Sequence, residues 1–80
     1  MERTKIFDQK GIEAFAEHFK KVRRKYGFTQ EELAYTSDIA LSQVARIETA
    51  RINPSLSTIF KLARTMNVPL PELFDFSLPE

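Results

Sequence analysis

The sequence predicts an all-α fold, a compact domain of five short helices. Three observations carry that expectation. Apolar residues recur at helical spacing in successive segments, capping and turn residues separate those segments at short intervals, and no stretch shows the alternation of a half-buried strand. Eighty residues are too few for a core to divide, so one domain is expected.

Residues 1–8 lack a period and read as an N-terminal arm, the helical domain as 9–74, and 75–80 as a C-terminal tail. From Gln9 to Tyr26, the apolar residues Ile12, Phe15, Ala16, Phe19, Val22 and Tyr26 fall within about 60° of Phe19 on a helical wheel. Gly27 is placed to end this helix with a left-handed residue. Thr29 and Glu32 form a capping-box pattern, which starts a second helix running to Thr36 with Leu33 and Ala34 inward. Ser37 and Asp38 are turn formers, and a third helix is expected over Leu41 to Thr49. Pro54 holds Asn53 extended, and Ser55 can cap a fourth helix from Leu56 to Met66. Asn67 can close it, and Pro71 suits the first turn of a last helix from Leu70 to Phe74.

Two charges intrude on the apolar faces. Arg23 lies about 40° from Phe19 on the first wheel, and Glu48 about 40° from Val44 on the third. A charge there must reach water or meet its opposite, so Arg23 and Glu48 are expected to pair inside the domain.

With 42% hydrophobic and 29% charged residues, the composition excludes a disordered chain. The absence of cysteine excludes disulfides, thiolate zinc sites and thiol nucleophiles. Neither a membrane span nor a secretion signal is expected, which makes the protein cytoplasmic by expectation. The net charge of +1 conceals an uneven distribution: residues 1–27 carry eight bases and four acids, whereas residues 67–80 carry three acids and no base. Lys20, Lys21, Arg24 and Lys25 fit either a solvated helix face or one that meets phosphates.

Catalysis finds little support. The single histidine, His18, lies about 100° from the centre of the apolar stripe and is expected at the surface. It has no serine or acid at triad-like spacing. Gly11 and Gly27 stand alone and make no phosphate loop. Glu13, Glu17, Glu31 and Glu32 read as surface and helix-end charges, so no metal, cofactor, small-molecule ligand or enzymatic activity is expected.

The second and third helices, joined by a short turn, form a helix-turn-helix arrangement. Ser42 and Arg46 lie on the outward face of the third helix, a narrow face able to hydrogen-bond in a DNA major groove. The sequence goes further. Gly27 to Ala34, Val44 to Glu48, Asn53 to Ser55 and Ile59 to Met66 occur in an order and spacing that resemble the Cro/C1-type (lambda-repressor-like, XRE) helix-turn-helix family. The resemblance extends from about Phe15 to Phe74.

It implies a lambda-repressor-like fold, with Arg23 and Glu48 as the interior ion pair. It implies that Leu41, Ser42 and Arg46 read base edges, Arg46 through guanine. It also implies phosphate contacts from Gln30 at the start of the second helix, and from Gln43, Arg51 and Asn53. Two family glycines are missing: Asp38 stands in the turn, and Ala50 follows the third helix, where either the backbone is strained or the loop takes another course. Ala40 replaces the usual side-chain cap of the third helix.

The expected function is therefore sequence-specific binding of double-stranded DNA by a transcriptional regulator, in the repressor sense. Two subunits would occupy a near-palindromic operator, with Phe76 and Leu78 the foremost candidates for the homodimer contact. Leu70, Leu73 and Phe74 are expected to close the core. No effector domain fits this length, so control is expected from occupancy, concentration or a partner. The alternative is an antitoxin-like or adaptor module that uses the same scaffold to bind protein.

Overall fold

A computed structural model describes residues 6–80. Five helices follow one another: α1 (Gln9–Lys25), α2 (Gln30–Ser37), α3 (Leu41–Glu48), α4 (Leu56–Met66) and α5 (Leu70–Leu73). No strand occurs among the described residues, and no described helix is long and apolar enough to cross a membrane.

Each boundary has a local cause. Asp8 caps α1 by accepting from the Gly11 N–H at 2.9 Å. A Cβ at Gly11 would lie 2.6 Å from the Asp8 carboxylate, so the glycine makes room for its own cap. The arm expected over residues 1–8 thus divides: residues 1–5 lie outside the described range, and Asp8 is the N-cap of α1. Thr29 and Glu32 close the expected capping box on α2, and Ser55 caps α4 through the Thr58 N–H. Gly27, Asp38, Ala50 and Asn67 all have positive φ, so Ala50 accepts the left-handed backbone in place of glycine. Tyr26, Thr49 and Phe74 are C-caps rather than helical residues, whereas α2 runs one residue further than expected, to Ser37.

The core forms where α2 crosses α3 and α4, with α1 laid across them. Phe19, Leu33, Val44 and Leu62 are sealed from solvent. Burying such side chains contributes about 1.5–3 kcal/mol each. Helix α5 completes the core with Leu73 alone. Leu70 and Phe74 stay exposed, while the chain turns back and packs Phe76 partly against the core. Leu70, Leu73 and Phe74 are spaced for one helical face, but the helix ends at Leu73, with Phe74 its C-cap, and only Leu73 is sealed.

His18 departs from expectation. It is half-buried, with Nε2 2.7 Å from the Glu72 carbonyl oxygen and its ring 5.5 Å from that of Phe76. The Glu72 side chain faces α1 as well, accepting from Lys25 Nζ and from the Tyr26 hydroxyl, both at 2.5 Å. His18, Lys25 and Tyr26 together dock α5 on α1.

Candidate nucleic-acid interface

The interface is built on the α2–α3 pair. The Thr29 N–H donates to the Glu32 carboxylate at 2.9 Å and holds it below the usual range. The Thr29 hydroxyl oxygen accepts from the Glu32 N–H at 3.0 Å, and the two bonds together fix the start of α2. At the other end Asp38 takes the left-handed turn, with φ 58°, and the Ile39 N–H returns to the Ala34 carbonyl at 3.0 Å. Helix α3 then begins without a side-chain cap, since Ala40 offers only its carbonyl, to Gln43 and Val44.

Val44, Ile47 and Glu48 anchor α3 inward, and that burial fixes which face remains outside. Ser42 and Arg46 are exposed on that face, and Leu41, which keeps 45% of its surface in water, borders it on the side of α2. Gln43 is half-buried beside them. Arg51 and Asn53 are exposed in the loop that leaves α3, whose course is set by the left-handed Ala50 and by the Arg51 N–H bonded to the Arg46 carbonyl at 2.9 Å. Of the residues expected to read bases, Ser42 and Arg46 share the outward face while Leu41 borders the start of α2, and the expected phosphate contacts are distributed around them.

Arg23 and Glu48 pair as the wheels predict. Arg23 Nε donates to Glu48 Oε2 at 2.5 Å and Nη2 to Oε1 at 3.0 Å, while Nη1 donates to the Phe28 carbonyl at 2.6 Å. Gln30 is less free than expected, because its Nε2 donates to Glu48 Oε1 at 2.9 Å. One amide N–H and the amide oxygen remain for a ligand.

In front of Gln30 lies an open hollow of mixed character, bounded by Arg24, Gly27, Phe28, Thr29, Glu31 and Leu41. The capping box occupies the Thr29 and Glu32 N–H groups, and the Gln30 and Glu31 N–H groups have no acceptor among the described residues. Such a donor set suits an oxyanion. Arg24 is the residue that sequence reasoning did not single out. Among its basic neighbours, Lys21 approaches Glu17 at 3.6 Å and Lys25 is held by Glu72, whereas Arg24 has no acidic partner among the described residues. Only the basic cluster signalled it.

Similarity to known proteins agrees with this geometry. Residues 19–73 match the family model for helix-turn-helix domains. The chain belongs to the Cro/C1-type helix-turn-helix family. This is a family of DNA-binding transcription regulators, not of enzymes. An HTH-type transcriptional regulator of Archaeoglobus fulgidus is 39% identical over 57 residues, which cover 71% of this chain and 81% of that protein. Another, from Sinorhizobium fredii, is 34% identical over 56 residues, or 70% of this chain and 73% of its own. Among solved structures, the restriction-modification controller protein C.AhdI of Aeromonas hydrophila superposes with a TM-score of 0.74 at 33% identity. It covers 79% of this chain and 96% of its own.

Proposed function

We propose that this helix-turn-helix protein represses transcription by occupying a specific operator as a homodimer, with α3 in the major groove. The observation that carries the reading is the exposed face of Ser42 and Arg46, flanked by Leu41 and the donor hollow at Gln30 and by Arg51 and Asn53. Arg46 is the base reader with most discrimination, because a guanidinium can bond guanine through two atoms at once. Ser42 adds a less selective contact, and Leu41 meets a thymine methyl. Gln30, Gln43, Arg51 and Asn53 hold the phosphates and set the register. Such a protein acts on the chromosome, in the cytoplasm at the nucleoid.

One reading helix spans a few base pairs, so specificity calls for two subunits on half-sites about 34 Å apart. An apolar groove lined by Ile12, Leu56, Phe74, Phe76 and Leu78 offers the contact. Asn53 and Pro54, just beyond α3, border the same groove.

Binding of the purified chain to genomic fragments that it selects, and to unrelated duplexes, tests the reading. Affinity should fall steeply between 50 and 200 mM salt, the range over which phosphate-contacting proteins lose about 10³–10⁵ in affinity when they make many contacts. Arg46→Ala should cost about 1–3 kcal/mol on the selected site and little elsewhere, whereas Gln30→Ala should weaken all duplexes alike. The exposure of Leu41 favours a second reading, a protein-binding adaptor or antitoxin-like module. Absence of salt-sensitive binding to any duplex would favour that reading instead.

A further inference from the structure

We propose that Glu48 is a positioning residue for the phosphate contact of Gln30, so that the interior ion pair also sets the DNA clamp. The proposal rests on the phosphate role given to Gln30 above. Gln30 opens α2 at the edge of the hollow and is half-buried there. Its Nε2 donates at 2.9 Å to Glu48 Oε1, the same oxygen that receives Arg23 Nη2 at 3.0 Å. The Glu48 side chain is only 1% exposed, so solvent cannot take the place of these donors.

Arg23 fixes the carboxylate from one side, and through Nη1 it also holds the Phe28 carbonyl in the loop that leads to Gln30. The amide is thereby tethered at its inner end. Its second N–H and its oxygen are left at the hollow that Arg24 and the free N–H groups of Gln30 and Glu31 also face. An untethered glutamine would lose its rotamer freedom only on meeting DNA, which weakens binding; here that ordering belongs to folding. Because Arg23 and Glu48 neutralise each other, the buried carboxylate adds no net repulsion toward a phosphate.

The test is a double-mutant cycle with the full chain on a selected duplex and an unrelated one. Arg23→Met with Glu48→Met removes the pair without changing net charge, and a buried pair replaced by apolar residues commonly keeps the fold. With folding verified by thermal melting, this double variant should bind both duplexes about fivefold more weakly, with an unchanged salt slope. Gln30→Ala should cost about fivefold in the wild-type chain and nothing further in the double variant. An equal cost in both backgrounds would overturn the proposal.

If the double variant does not fold, the side-chain amide resonance of Gln30 in the free wild-type chain decides. Slow exchange with water and a single rotamer support the tether; rapid exchange and rotamer averaging overturn it. A wild-type chain without salt-sensitive DNA binding overturns the phosphate role itself, whereas DNA binding with an additive cycle overturns the positioning role alone.

Discussion

Ala50 holds φ at 58° in the loop that carries Arg51 and Asn53 away from the reading helix. A left-handed backbone costs an L-residue about 1–2 kcal/mol, which glycine avoids. Glycine gives back part of that gain through the freedom of the unfolded chain, about 0.4–1 kcal/mol. Ala50→Gly is therefore expected to stabilise the domain by about 0.5–1 kcal/mol, raising its melting temperature by about 3–6 °C. An unchanged or lower melting temperature would show that the loop does not store this strain. Asp38 and Asn67 share the same φ, but their short polar side chains tolerate it better. The ion pair is the other decisive feature at this scale. Arg23→Met alone strands the Glu48 carboxylate in the interior and should cost about 3–5 kcal/mol by denaturant titration. A loss below about 1 kcal/mol, the range of surface pairs, would mean that water reaches the carboxylate.

Among the elements, α5 depends most on a single side chain. Hydrogen bonds from Lys25 and then Tyr26 hold the Glu72 carboxyl below the usual carboxylate range. The same contact raises Lys25, and it raises Tyr26 together with burial of the phenol. A depressed carboxyl stabilises the fold above its ordinary value of 4.5, and that stability disappears as pH falls through the lowered value. Raised Lys25 and Tyr26 act on the other limb: their contribution is present below 10.5 and 10.0 and disappears as pH rises through the raised values. Glu72→Gln should lower the melting temperature near neutral pH and flatten both limbs of its pH profile. The acid limb should persist in part, because Glu32 titrates in the same direction. A variant profile parallel to that of the wild type would rule out the clamp.

This docking also marks where the sequence stops being legible. The five helices could be read because each long one buries a stripe at helical spacing. Arg23 and Glu48 could be read because both intrude on such stripes with opposite charge. His18 could not, since the wheel gives its angle but not Glu72 and Phe76, which lie far along the chain and fill that direction. The bond from Gln30 to Glu48 was hidden for the same reason, because it depends on how closely α2 and α3 cross. The tail eluded pattern altogether: one turn of helix has no periodicity, and the return of Phe76 onto Phe15 and His18 is a tertiary event.

At the scale of the whole molecule, the proposed dimer depends on the apolar groove formed with Phe74, Phe76 and Leu78. Phe74 and Leu78 remain 43% and 68% exposed there, beside Leu56, whereas Leu73 is sealed in the core. A two-fold contact uses each side chain twice, so one substitution removes two contacts from the dimer and almost nothing from the monomer. Leu78→Asp should therefore leave the melting temperature of the dilute protein unchanged while weakening the dimer about 100-fold or more. Sedimentation velocity over a range of concentrations measures the second effect, and thermal melting checks the first. DNA binding should follow the same course, with the variant requiring higher concentration for a full operator yet binding an isolated half-site as the wild type does. Leu73→Asp supplies the contrast, because a carboxylate in the sealed core should unfold the chain. A wild-type chain that remains monomeric at high micromolar concentration would remove the second copy from the groove. Specificity would then rest on the few base pairs that one α3 can reach.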